Sequence, residues 1–183
     1  CNPVVLYGLG GSVIQGWEVD EIQVRGCNDG VWLTGIVYNC TVTNLQILDV
    51  NGTGLNEDAG AGYNRWDVCQ SYPKATTGGL AFDLRGASSS YGLLTCAGPA
   101  RIFTPTGVFD TVVIEELSRP ATGGFNGDAA LRIDGIRHIR SIVIIDPVKG
   151  ANTCTYGVTA STDSAVYEAI TFIYTALANR VLF

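Results

Sequence analysis

The apolar residues of this chain fall in short runs, separated by Gly, Asn, Asp and Pro. Val4, Val5, Leu6 and Tyr7 form the first run, and Gly8, Gly10 and Gly11 follow it as a hinge. Residues 21–25, Glu-Ile-Gln-Val-Arg, alternate polar and apolar, which predicts a half-buried strand. Cys27-Asn28-Asp29-Gly30 reads as a turn, and residues 31–38 and 41–50 as strands rich in Val, Ile, Leu and Thr. Val42, Leu45, Ile47 and Val50 depart from a strict period of two, so a bulge is expected near Asn44. Residues 51–62 read as loop. Residues 79–85 alternate again. Residues 93–96 and 101–103 are short strands confined by Pro99 and Pro105.

Two further β-rich runs, residues 111–117 and 141–146, bracket a Gly/Asn turn region and a basic segment. Asp134-Gly135 is a hairpin dipeptide, although a two-residue hairpin would set Arg132 against Arg137. Ile133, Ile136, Ile139 and Ile142 recur every third residue, the spacing of a strand that bends at each corner of a β-helix. In the tail, Val166, Ile170, Ile173 and Leu177 lie on one face of a helix, with Ser161, Asp163 and Ser164 as caps and an end near Asn179. The strand propensity of residues 170–175 opposes that reading.

These elements predict one domain over residues 1–183, mainly β: an antiparallel β-sandwich, jelly-roll-like, with disulfides and a C-terminal helix. The alternative is a β-helix-like fold. It ranks second because the sequence shows no internal repeat. Val4–Tyr7 reads first as an ordinary opening strand of the domain's own sheet, and residues 1–11 are also set apart as a segment able to leave its own domain and complete a neighbour's sheet.

Composition narrows the class. The chain is 46% hydrophobic and only 15% charged, against about 25% charged in ordinary soluble domains. A net charge of −6 argues against nucleic acid as a partner. No apolar run is long enough for a transmembrane helix. The chain opens on Cys1 and has no Met, which points to a processed, secreted protein. Six cysteines, Cys1, Cys27, Cys40, Cys69, Cys96 and Cys154, predict three disulfides. Their wide spacing offers no zinc motif.

Candidate chemistry is sparse. Asp49, Asn51, Thr53 and Glu57 supply oxygen ligands at the spacing of an EF-hand loop, but Gly60 stands where the bidentate glutamate belongs. Calcium is therefore the one cofactor to consider. Tyr63, Asn64, Trp66 and Asp67 combine aromatic, amide and carboxylate groups suited to a sugar. Asn39 and Asn51 begin N-glycosylation sequons. A serine triad would have to use His138, the single histidine, with Asp134 or Asp146, and no G-x-S-x-G accompanies it. Glu115 and Glu116, adjacent on a strand, would point to opposite faces.

The expected role is structural and not enzymatic: a secreted subunit that assembles with copies of itself into an extracellular filament, pilus or surface layer through Val4, Val5, Leu6 and Tyr7. The rival is a secreted, monomeric carbohydrate-binding or effector-type protein with glycans as partners.

Overall fold

The computed structural model describes residues 4–8, 14–74, 80–97, 100–102, 108–116, 129–133, 137–145, 156–160 and 165–173. The strands follow one another in coils. The first coil holds β1 (Val4–Gly8), β2 (Ile14–Gln15) and β3 (Glu18–Arg25), and the second β4 (Val31–Gly35), β5 (Val37–Tyr38) and β6 (Thr41–Leu48). Then come β7 (Leu55–Glu57) and β8 (Arg65–Tyr72), β9 (Phe82–Leu84) and β10 (Ser90–Ala97), and β11 (Ala100–Ile102) and β12 (Val108–Glu116). The last described coils carry β13 (Ala129–Ile133) and β14 (Arg137–Ile145), then β15 (Tyr156–Ala160) and β16 (Ala165–Ile173).

Two seven-stranded sheets result. The first runs β1-β4-β7-β9-β11-β13-β15 and the second β16-β14-β12-β10-β8-β6-β3. A short third side pairs β2 with β5 and continues through bridges from Tyr38 to Gly62 and from Gly62 to Ala87. Every pairing is parallel. The fold is a parallel β-solenoid, and the antiparallel sandwich expected from the sequence is not formed.

The physical reason for that misreading lies in the burial pattern. Parallel sheets covered on both faces read as continuous apolar runs. Here Val31, Leu33, Leu55, Glu57, Phe82 and Leu84 point inward and are buried, while Trp32, Thr34, Asn56 and Asp58 between them are only partly covered. One solvated face gives the alternation usual in a sandwich.

Inward positions stack in rows along the solenoid: Val31, Leu55 and Phe82 in the first sheet, Val42, Trp66 and Tyr91 in the second. Leu45, Cys69 and Leu94 form the next row, and Ile47, Ser71 and Cys96 another. All of these are buried. Each large apolar member contributes about 1.5–3 kcal/mol by leaving water. A repeat therefore exists in space, yet unlike residues fill equivalent sites, so it does not show as sequence similarity.

The broken period around Asn44 has a different origin from the expected bulge. No register shift occurs there. The pairings skip Thr43 and, at the same level of neighbouring coils, Asp20, Asp67 and Gly92. Each strand bends at that level, so inward residues sit three apart: Val42 and Leu45, Trp66 and Cys69, Tyr91 and Leu94.

Two local expectations are also corrected. β13 and β14 belong to different sheets and pair with other coils, so they form no hairpin about Asp134-Gly135, a dipeptide that lies outside the described residues. Residues 165–173 form strand β16 against β14 and not a helix; pairing along the stack satisfies the strand-prone Ile170-Thr171-Phe172-Ile173 run. Among the described residues there is no helix, and none is long and apolar enough to cross a membrane. Val4–Tyr7 pairs with β4 of its own chain, as an ordinary opening strand does, and the Val4 N–H donates to Gly30 O at 2.9 Å. The segment is the terminal strand of its own sheet.

Candidate functional site

One buried polar cluster sits inside the solenoid. The alternation of β7 places Glu57 in the same inward phase as Leu55, in a row between Leu33 and Leu84. Glu57 is fully buried. Its Oε1 accepts from Ser89 Oγ at 2.6 Å and from Asn64 Nδ2 at 2.8 Å. Its Oε2 accepts from the Tyr91 hydroxyl. Burial raises the Glu57 pKa above its ordinary value, although Ser89, Tyr91 and Asn64 pull the other way by hydrogen bonding to the carboxylate. The Trp66 indole N–H favours the ionised form more weakly, from a position that misses hydrogen-bonding geometry.

Asn64 joins three coils. Its Oδ1 accepts from the Cys40 N–H at 2.9 Å, its Nδ2 also donates to Val37 O at 3.1 Å, and its own N–H donates to Ser89 Oγ at 3.2 Å. Burial also pushes the Tyr91 hydroxyl and the Cys69 thiol well up, and the neighbouring Glu57 charge adds to both shifts. Every member of this cluster is closed off from solvent, and the donors of Asn64 are fully used. The arrangement ties coils together. It offers no surface on which a substrate would sit.

The outer corner between the short third side and the second sheet carries the second constellation. Gly16, Asn39, Tyr63 and Ser88 occupy this corner in four successive coils, and all have positive φ: 69°, 53°, 54° and 56°. The register fixes their equivalence, since each follows one of Gln15, Tyr38, Gly62 and Ala87, which pair along the stack. Tyr63 is 62% exposed, and its ring meets that of Tyr38 edge-on at 6.1 Å between centroids. Beside it on the outer face, Arg65 Nε donates to Asp67 Oδ1 at 2.6 Å.

The sequence-derived sites are dispersed by this fold. Of the calcium set, Asp49 is an exposed partner of Arg25 at 3.1 Å, Asn51 donates to Asn28 Oδ1, the Thr53 N–H donates to Asp29 Oδ1, and Glu57 turns inward. The four do not converge, and no group of three or more His, Cys, Asp or Glu residues poised for a metal occurs among the described residues. Of the sugar set, Tyr63 and Asp67 lie outside, whereas Asn64 and Trp66 are core residues. Asn64, just before β8, and Trp66 within it are both buried, which separates them from their neighbours in sequence.

The expectation of three disulfides is also revised. Cys40 and Cys69 are buried thiols, held at different inward levels of the stack, and Cys96 is likewise buried. Cys27 is disulfide-bonded. Cys1 and Cys154 lie outside the described residues, as do Asp134 and Asp146. Asn39 of the first sequon is exposed, and Asn51 of the second is partly buried. The backbone of His138 lies in β14, paired with Val108 and Val166, and Glu115 and Glu116 lie at the end of β12.

No protein-family model, curated protein or solved structure matches this chain.

Proposed function

We propose that this chain is a secreted structural subunit that extends by adding coil upon coil, head to tail, into a filament or surface layer. The observation that carries this reading is the single direction of every strand. β1 and β3 end the two long sheets on one side, and β15 and β16 end them on the other. With all strands parallel, one terminal edge continues the ladder of the opposite edge of a second copy without a change of direction. Such contacts do not close on themselves and generate a fibre. Val4 and Val5, 38% and 46% exposed, supply apolar area at that edge. In place of an exchanged strand, the joint is an edge-to-edge one.

The test uses backbone chemistry. The Val4 N–H donates toward β4, so by strand alternation the Val5 N–H faces the free edge. Val5→Pro removes that edge donor and leaves the β1–β4 ladder intact. Wild-type protein is expected to sediment as growing oligomers with concentration, and Val5→Pro as folded monomers. A wild type that stays monomeric at high concentration, or a Val5→Pro variant that assembles like wild type, overturns the proposal.

The rival reading, a carbohydrate-binding protein, is favoured by the outer corner around Tyr63.

A further inference from the structure

We infer that the outer corner built by Tyr38 and Tyr63 is a binding subsite for a neutral oligosaccharide. The first support is where Tyr63 stands. A left-handed backbone costs an ordinary residue roughly 1–2 kcal/mol, and a bulky side chain there is an outlier. Gly16 fills the equivalent corner of the first coil and Asn39 that of the second, both residue types that adopt this conformation readily. The third coil instead holds a tyrosine that is 62% exposed, so the strain is not repaid by burial in the core. The corner imposes this backbone in every coil, Ser88 of the fourth included, so what singles out the third is an exposed aromatic ring where its neighbours hold Gly, Asn and Ser.

The second support is Tyr38 against the ring, together with the polar groups at the start of the strands that follow this corner. Tyr38 meets Tyr63 edge-on, which leaves the Tyr63 ring buttressed on one side. In the register of the stack, Arg65 lies between Thr41 and Ser90 on the same outer face, with Asp67 two residues further along β8. Aromatic carbon faces receive the C–H groups of a pyranose ring, and hydroxyl, guanidinium and carboxylate groups pair with its hydroxyls.

Charge selects the kind of sugar. Arg65 and Asp67 are bonded to each other at 2.6 Å and cancel. The chain as a whole carries −6. An anionic polysaccharide would be repelled overall and would find no free cation in this pair, whereas a neutral glycan meets no such cost.

The experiment is calorimetric titration of the folded protein with cellohexaose, maltohexaose and laminarihexaose at millimolar concentration, with polygalacturonate as the anionic comparison. At least one neutral hexasaccharide is expected to bind, and polygalacturonate is not. Tyr63→Gly relieves the backbone strain, so it is expected to keep or raise the melting temperature while weakening binding by about tenfold. Tyr63→Phe keeps the ring and should retain most of the affinity. Absence of binding by all three neutral sugars, binding unchanged in Tyr63→Gly, or preference for polygalacturonate each overturns the inference. The site needs only the folded solenoid, so it stands or fails independently of head-to-tail assembly, which sedimentation reads.

Discussion

The side chain of Glu57 fills the space above Gly86: a Cβ on that glycine would stand 2.5 Å from Glu57 Cδ and 2.8 Å from Cγ. The two residues lie in adjacent coils, so one inward carboxylate dictates a glycine in the next turn. Gly86→Ala must displace Glu57 from Ser89, Asn64 and Tyr91. We expect it to cost about 1–3 kcal/mol, the range for overpacking a well-filled core. In Glu57→Ala the obstacle is gone, and adding Gly86→Ala should then cost much less. Urea denaturation of the two single variants and the double variant measures the coupling. Additive losses would show that the two residues do not oppose each other.

Glu57 also makes stability depend on pH. Its carboxyl is raised above the ordinary 4.5, first by burial, so the folded state binds this proton more tightly than the unfolded chain. The resulting stabilisation is complete below 4.5 and is lost as pH rises through the raised folded value. The groups facing it are Ser89, Asn64, Trp66, Tyr91 and Cys69. Tyr91 and Cys69 have pKa values pushed well up by burial, so both stay protonated through that window. The urea midpoint of wild type should therefore fall over this interval relative to Glu57→Gln, which carries no titrating group there. Parallel pH curves for the two proteins would contradict the assignment.

How far the fold was readable depended on which neighbours a strand had. The alternation of residues 82–85 shows in the sequence but carries no sign of strand direction, and residues 55–57, which read as loop, form β7. Parallel and antiparallel sheets with one wet face share that alternation. Ile139 and Ile142 held a clue to the solenoid: they flank Arg140, at the level where the β12–β14 and β14–β16 pairings skip a residue. The candidate sites failed for a related reason. Asp49 to Glu57 looked like a continuous ligand loop, yet Glu57 is in phase with Leu55, and that phase put it inside. Trp66 and Asn64 are likewise buried. Tyr63 was picked out as an exposed aromatic, but its left-handed backbone and its contact with Tyr38 arise from the stacking of one coil on another, which local sequence does not encode.

The cysteines give a direct chemical check. Cys40 and Cys69 are buried thiols, and burial raises Cys69 well above the ordinary thiol value, with the nearby Glu57 and Asp67 charges adding to it. Thiolate is the reactive form, so Cys69 should resist a thiol reagent in the folded protein, and Cys40 should resist it because its sulfur is buried out of the reagent's reach. Denaturation without reductant should release both for reaction, identified by mass spectrometry of labelled peptides. Recovery of unlabelled Cys40 or Cys69 from the denatured, unreduced chain would restore the fully oxidised arrangement expected from the cysteine count.

The left-handed corner separates backbone strain from packing. Gly16 adopts φ 69°, and among the described residues beyond its chain neighbours no atom lies within 4 Å of the position a Cβ would take. Gly16→Ala therefore introduces no clash, and its whole cost is conformational, about 1 kcal/mol of lost stability. Asn39 holds the same corner one coil further on, at φ 53°, and Asn tolerates this region. Asn39→Gly should change stability by only a few tenths of a kcal/mol. Thermal melts of the two variants beside wild type test the pair. A Gly16→Ala variant as stable as wild type would mean that the first corner relaxes out of the left-handed region, and the equivalence of Gly16, Asn39, Tyr63 and Ser88 along the stack would no longer hold.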